Sequence, residues 1–135
     1  MTAVFLVIAI VFGIFVLVIV SRLGRKFARP LNHRYYEEKW TEVLARVKTP
    51  EGMVLAVIDA DKLLDDALRK RGYKGKTMGE RLVAAQRDLS SNDSVWYAHK
   101  LRNRLVHEPD VRLRKNEAKN ALAGIRQGLR DLGAL

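Results

Sequence analysis

The length, composition and charge of this chain restrict it to a hydrophobic segment and one small basic domain. Its 135 residues carry a formal net charge of +10 and contain no cysteine. A chain without cysteine forms no disulfide and no thiolate metal site. The excess of positive charge favours partners that carry phosphate, either nucleic acid or anionic lipid headgroups.

The first element is an apolar run, AVFLVIAIVFGIFVLVIV, that extends from Ala3 to Val20. With its neighbours it reaches the roughly 20 residues that a helix needs to cross the hydrocarbon core of a bilayer. A cleaved signal peptide would instead have basic residues before a shorter apolar stretch. Here every charged side chain lies beyond Ser21. The sequence therefore predicts a transmembrane helix over residues 1–21, with the lipid bilayer as its partner.

A basic segment, residues 22–34, follows and predicts the orientation of the chain. It contains five Lys or Arg residues and no acidic residue, whereas no charged residue precedes the apolar run. The positive-inside rule then places the N-terminus outside the cell membrane and the C-terminal domain in the cytoplasm. The basic residues could also bind anionic lipid, although a role in topology is sufficient to explain them. Pro30 ends the membrane helix and makes this segment a linker.

Residues 35–135 have apolar residues at helical spacing throughout, and no strand-like alternation. Thr49 and Thr77 are predicted N-caps, and Gly72 follows a predicted helix C-terminus. The predicted helices are Tyr35–Val47, Pro50–Arg71, Thr77–Leu89, Ser94–His107 and Lys115–Leu132. Because their connections are short, we predict an all-α fold in which residues 35–135 form an antiparallel bundle of four to five helices.

The predicted helix Ser94–His107 has one side of unusual composition. On a helical wheel its core face consists of Ser94, Ala98, Leu101 and Leu105. The opposite side carries Trp96, His99, Asn103 and His107, with Arg102 at its edge. A solvated face usually carries Lys, Glu and Gln, so this stripe predicts a surface that contacts a partner. The alternative is that His107 only caps the helix and Arg102 only pairs with an acidic residue on a neighbouring helix.

Asp61 is a second unusual residue, because it lies inside the apolar stripe of the helix Pro50–Arg71. A carboxylate on a core face is costly unless it is paired or hydrogen-bonded. The sequence offers three candidate partners, namely His99, Arg102 and Asn103. We expect a structural role for Asp61 rather than a catalytic one.

The hexapeptide Arg102–His107 (RNRLVH) resembles the motif of the HEPN superfamily. In that motif an arginine is followed by a polar residue and by a histidine four to six positions beyond the arginine. HEPN domains are bundles of four or five helices, with the motif near the end of a late helix. The region Trp40–Leu132 is also similar to small single-span bacterial membrane proteins with a helical tail.

Active HEPN members are metal-independent endoribonucleases that dimerise so that two motifs line a shared cleft. The resemblance therefore implies that Arg102, Asn103 and His107 are catalytic residues of a homodimer that cleaves RNA without a cofactor. Histidine is a suitable base near neutral pH, and the arginine fork fits phosphate oxygens. The expected RNA-binding residues are Lys100, Arg104, Arg112, Arg114 and Lys115. Asp61, His99 and Trp96 are expected to support the site.

Non-catalytic functions stay open on the sequence. Other HEPN members are inactive binding modules, and a membrane-tethered bundle can serve as an adaptor that binds a protein or a nucleotide. A basic domain that binds anionic lipid is a third possibility. The chain has no glycine-rich phosphate loop and no zinc-binding spacing of His and Cys, so we predict neither a metal nor a cofactor.

Overall fold

The computed structural model describes residues 2–26 and 30–135, except for the side chains of residues 2, 3 and 21–26. All regular secondary structure in these ranges is helical. The helices are α1 (Thr2–Lys26), α2 (His33–Arg46), α3 (Pro50–Lys70), α4 (Met78–Ala85), α5 (Asn92–His107) and α6 (Lys115–Asp131). The prediction of an all-α fold is confirmed for the residues described.

Helix α1 contains the apolar run at the start of the chain. Its side chains from Val4 to Val20 are exposed, and none of them belongs to the hydrophobic core. Among the residues that the structure describes, no helix is long and apolar enough to cross a membrane. The described residues therefore do not bear out the transmembrane helix predicted for residues 1–21. Helix α1 also extends to Lys26, into the predicted linker, while Met1 and residues 27–29 of these two predicted segments lie outside the described part.

The sequence signals for the helix ends of α3 and α4 are confirmed. Thr49 caps α3, because its side chain accepts a hydrogen bond of 3.0 Å from the backbone N–H of Gly52. Thr77 caps α4 in the same way, accepting a hydrogen bond of 3.2 Å from the N–H of Glu80. After α3, Gly72 adopts a φ of +90°, a conformation that favours glycine at a helix C-terminus.

Three helix boundaries of the bundle differ from the prediction by two residues or more. Helix α2 begins at His33, inside the predicted linker, rather than at Tyr35. Helix α4 ends at Ala85 rather than Leu89, because the backbone N–H of Asp88 donates to the Ala85 carbonyl (2.8 Å) in a turn. The Asp88 carboxylate also accepts a hydrogen bond of 2.7 Å from the hydroxyl of Tyr73. Helix α5 begins at Asn92, two residues before its predicted start.

Helix α3 is the centre of the bundle. It packs against α2, α4, α5 and α6, and α5 also packs against α6. Tyr36 near the start of α2 contacts Asp66 near the end of α3, while Arg46 at the end of α2 pairs with Asp59. These two helices are therefore antiparallel, as predicted. Helix α3 contributes to the core the side chains of Ala56, Val57, Ala60, Leu63, Leu64, Ala67 and Leu68.

A buried tyrosine joins α2 to α3. Tyr36 is completely buried, and its hydroxyl donates a hydrogen bond of 2.8 Å to Oδ2 of Asp66. Burial, together with this hydrogen bond, raises the pKa of Tyr36 above its usual value. Burial also acts to raise the pKa of Asp66, but hydrogen bonds from Lys70 and Tyr36 outweigh it and lower that pKa below its usual value. The Asp66 carboxylate is therefore charged at neutral pH and accepts both hydrogen bonds.

Gly124 determines how closely α6 approaches α5. A Cβ atom at this position would lie 2.7 Å from the carbonyl oxygen of Ser94 and 2.8 Å from its carbonyl carbon. We expect Gly124→Ala to lower the free energy of unfolding by about 1–3 kcal/mol, because backbone atoms of α5 have to move. Urea denaturation of the full-length chain in mild detergent measures the change.

Gly79→Ala is the matched control for this prediction. It is also a helical glycine, but a Cβ there would be 3.7 Å from the nearest atom, on the ring of Trp96. We expect it to keep or slightly raise the stability, since alanine has the higher helix propensity. Equal stability of the two variants would contradict the assigned helix contact.

Candidate functional site

A cleft between α3, α4 and α5 brings together four of the eleven residues that the sequence predicted for the site. Its volume is about 470 Å³. It is lined by Asp61, Lys62, Asp65, Thr77, Met78, Gly79, His99, Arg102 and Asn103. The carboxylate of α3 that the sequence singled out therefore shares one cleft with all three of its candidate partners on α5.

The Asp61 carboxylate is the most buried charged group of this cleft, with 4% of its side chain exposed. Its Oδ1 atom lies 3.0 Å from Nδ1 of His99. Its Oδ2 atom lies 3.6 Å from Nε of Arg102. The expectation that Asp61 is paired is confirmed, and the buried charge is compensated by one hydrogen bond and one ion pair.

Asn103 connects the two basic side chains that surround Asp61. Nη1 of Arg102 donates a hydrogen bond of 3.0 Å to Oδ1 of Asn103. Nδ2 of Asn103 lies 3.4 Å from Nε2 of His99. The side chain of Arg102 is 26% exposed, so its guanidinium is held on one side and accessible from the cleft on the other. Such an arginine is suited to bind an anion.

The predicted faces of α5 are only partly correct. Ala98 is buried as expected, but the core face also includes Val95, whereas Ser94 is exposed. His99 was predicted on an exposed stripe, yet only 12% of its side chain is exposed. This part of the prediction is wrong because Asp61 on α3 provides a buried partner for the imidazole.

Trp96 lies beside two residues that line the cleft, Gly79 and His99, and is not an exposed residue. It is partly buried against the core. Its ring meets the ring of His99 edge to face, with centroids 6.1 Å apart, and it reaches α4 beside Gly79. The wheel placed Trp96 opposite the core because it considered α5 alone, whereas in the fold α5 also packs against α3 and the Trp96 ring lies beside Gly79 of α4.

His107 does not line the cleft. It is the last residue of α5 and is exposed. It follows Arg102 by five positions, which corresponds to about 140° around an α-helix and about 7.5 Å along its axis. The cleft therefore combines Arg102 and Asn103 with His99 rather than with His107.

The predicted RNA-binding residues are all exposed. Arg104 forms an ion pair of 3.9 Å with Glu108 on the same helix, and its side chain is still 52% exposed. These residues lie on the second half of α5, on the following loop and at the start of α6, namely Lys100, Arg104, Arg112, Arg114 and Lys115. Exposed cations so arranged attract a phosphate backbone in a salt-dependent manner.

The wall formed by α4 was not predicted from the sequence. Arg81 is buried and binds the Asp65 carboxylate with Nε (2.7 Å) and Nη2 (3.0 Å), while Nη1 donates to the Gly75 carbonyl (2.6 Å). These bonds hold α4 against α3 and place residues 77–79 on the cleft. One signal was available: Arg81 occurs at core spacing between the buried residues Met78, Leu82 and Ala85, which indicates a buried arginine that requires an acidic partner.

Comparison with known proteins assigns no family to this chain. No family model, curated protein or solved structure matches it. The resemblance to HEPN domains is therefore carried by the hexapeptide Arg102–His107 and by the helical layout.

Proposed function

We propose that this protein is a membrane-tethered, HEPN-like endoribonuclease with its cleavage site on α5. The observation that carries the proposal is the environment of Arg102. Asn103 and Asp61 hold its guanidinium, and its side chain lines the cleft and is about a quarter exposed. A positioned arginine binds two phosphate oxygens at once. The exposed His107 and the exposed basic residues of α5 and α6 are accessible to the same RNA strand.

The proposed reaction uses the 2′-hydroxyl of the RNA as the nucleophile. His107 accepts the proton of this hydroxyl, and the oxygen attacks the neighbouring phosphorus. The bond from phosphorus to the 5′-oxygen breaks, and that oxygen takes up a proton from water. Arg102 stabilises the negative charge that develops on the phosphorus oxygens. The products are a 2′,3′-cyclic phosphate and a 5′-hydroxyl end.

The active unit in this proposal is a homodimer. The HEPN resemblance implies that two motifs line one shared cleft. The position of His107 supports this, because within one chain it is exposed and does not line the cleft of Arg102. A second copy can bring its own α5 to this end of the molecule and complete the site.

The test is cleavage of end-labelled, single-stranded RNA by the full-length chain in mild detergent, with its mass measured by light scattering. We expect a dimer that cleaves RNA equally with and without EDTA and leaves 2′,3′-cyclic phosphate ends. Cleavage that requires a divalent metal, or that leaves a 3′-hydroxyl, would disprove the proposed mechanism.

A second candidate function is favoured by the position of His107 outside the cleft. In this alternative, His107 and Arg102 never act on the same phosphate. The cleft then binds an anionic group of a protein or nucleotide, and the protein is an adaptor. RNA that binds in a salt-sensitive manner without being cleaved would favour this function over the first.

We also propose that α1 is the membrane tether. The sequence of the run Ala3–Val20 supports this, as does the exposure of its large apolar side chains from Val4 to Val20. Exposed apolar surface of this extent requires a lipid or protein environment. The basic residues that follow the run support a cytoplasmic position of the bundle by the positive-inside rule.

Cysteine labelling tests this topology, since the chain has no cysteine of its own. We expect Thr2→Cys to react with a membrane-impermeant thiol reagent in intact cells, and Asn116→Cys to react only after the cells are permeabilised. The exposed Asn116 is accessible to the reagent once the membrane is open. Labelling at position 116 but not at position 2 in intact cells would reverse the orientation.

A further inference from the structure

The hydrogen bonds around Asp61 form a chain whose direction is determined by Arg102. An arginine side chain has donors only. Since Nη1 of Arg102 donates to the side-chain amide of Asn103 (3.0 Å), the atom that faces it is the oxygen Oδ1. The NH₂ group of Asn103 must then face Nε2 of His99, at 3.4 Å. The amide orientation of Asn103 thus follows from its neighbour.

This order also determines the tautomer of His99. The NH₂ group of Asn103 is a donor only, so Nε2 of His99 acts as the acceptor and carries no proton. The proton lies on Nδ1, which donates to Oδ1 of Asp61 at 3.0 Å. The charge of Asp61 is balanced by the guanidinium of Arg102, 3.6 Å from Oδ2. The other carboxylate of the cleft, Asp65, is bound by Arg81, so the imidazole is needed as a connector and not as a cation.

We propose that Asp61, His99 and Asn103 are positioning residues. The chain from Arg102 through Asn103 and His99 to Asp61 holds the guanidinium in the orientation in which it binds a phosphate group. The identification of that phosphate as part of RNA rests on the proposed function, whereas the hydrogen-bond order does not. Asp61 and His99 are too buried to contact RNA, and Asn103 acts through Arg102 rather than on the substrate.

The physical advantage of this chain lies in the cost of ordering an arginine. A free arginine side chain loses much rotamer freedom when it is fixed by a ligand. A guanidinium that the protein already holds loses less, so it binds an anion more tightly for the same contacts. Removing the hydrogen bond that Arg102 donates to Asn103 should therefore weaken phosphate binding at Arg102 without removing the charge of its guanidinium.

Nitrogen NMR of the imidazoles is the first test. The chain has three histidines, and His33→Gln and His107→Gln variants of the full-length chain in detergent, without a histidine tag, assign the signals. We expect His99 to show a proton on Nδ1 and none on Nε2. His33 provides a contrast within the protein, because both of its ring nitrogens face acceptors. Its Nδ1 faces the Ala134 carbonyl (3.0 Å), and its Nε2 faces the Glu37 carboxylate (3.1 Å).

Asn103→Asp tests the connection between the two residues. Aspartate has nearly the same shape as asparagine, but its carboxylate cannot donate to His99. We expect Nε2 of His99 to gain a proton in this variant, and Asn116→Asp, the same change at an exposed site of α6, to leave the His99 signals unchanged. A proton on Nε2 in the wild type, or an unchanged His99 in Asn103→Asp, would overturn the proposed order.

Titration with inorganic phosphate tests the positioning role. We expect phosphate to shift the Nε–H signal of Arg102, and Asn103→Ala to weaken this binding about tenfold, as for the loss of one hydrogen bond to a charged group. Unchanged phosphate affinity in a folded Asn103→Ala would overturn the positioning role. Because neither readout requires cleavage, a protein with the expected His99 tautomer but no ribonuclease activity would refute the proposed function alone.

Discussion

His107→Ala is expected to lower the rate of RNA cleavage by about 10²–10⁴-fold, which is the usual contribution of a general base. The fold should survive the change, since His107 is exposed at the end of α5. Single-turnover cleavage of labelled RNA measures the rate, and circular dichroism verifies the helix content. His33→Ala is the matched control. This histidine is also largely exposed, at 57% of its side chain, but it lies on α2. We expect the His33→Ala variant to cleave RNA at the rate of the wild type.

Arg102→Lys examines the other half of the same mechanism. Lysine keeps the positive charge but lacks the planar fork that binds two phosphate oxygens. It also cannot reproduce the geometry in which Arg102 donates to Asn103 while it pairs with Asp61. We therefore expect this variant to be as impaired as His107→Ala. Equal cleavage by the wild type and both variants would indicate a contaminating nuclease, and cleavage by none of them would favour the adaptor function.

Arg81→Ala is expected to cause the largest loss of stability among the changes considered, about 3 kcal/mol. The change leaves the partly buried Asp65 carboxylate without its two-bond partner and leaves the Gly75 carbonyl without its donor. Breaking a buried ion pair by removing one partner typically costs about 3–5 kcal/mol. The lower end applies because 21% of the Asp65 side chain is exposed. Urea denaturation of the full-length chain in detergent measures the loss.

Arg69→Ala is the control for Arg81→Ala, because Arg69 approaches the same carboxylate. Its Nε atom lies 3.8 Å from Oδ2 of Asp65, and its side chain is 60% exposed. An exposed pair of this kind contributes at most about 1 kcal/mol. If the two variants lost equal stability, the assigned difference between the buried and the exposed arginine would be incorrect.

The position of α4 also links stability to the site. Arg81 holds α4 in place, and the N-cap Thr77 together with Met78 and Gly79 at the start of α4 forms one wall of the cleft. Trp96 packs between this wall and His99. A displaced α4 would therefore uncover His99 and loosen the hydrogen bonds that hold Arg102. We therefore expect Arg81→Ala to disturb the cleft as well as to lower the stability of the fold.

The sequence by itself determined the features that depend on neighbours within a few positions. Thr49 and Thr77 cap helices because each side chain bonds an N–H three residues ahead. Gly72 was predicted just after α3 because the chain often takes a positive φ at a helix C-terminus, and glycine adopts it without strain. Asp61 was recognised as a residue in need of a partner, since its position among apolar residues of α3 is a property of one helix.

Only the tertiary structure decided which residues meet across helices. Asp61 binds His99 across 38 positions of sequence, and Arg81 binds Asp65 across 16. The wheel of α5 predicted Trp96 and His99 as exposed because a single helix has one obvious apolar face, whereas α5 packs against both α6 and α3 and Trp96 reaches α4 beside Gly79. The partner of a buried charge is selected by the packing of whole helices, and that packing depends on contacts too distant in sequence for local spacing to reveal.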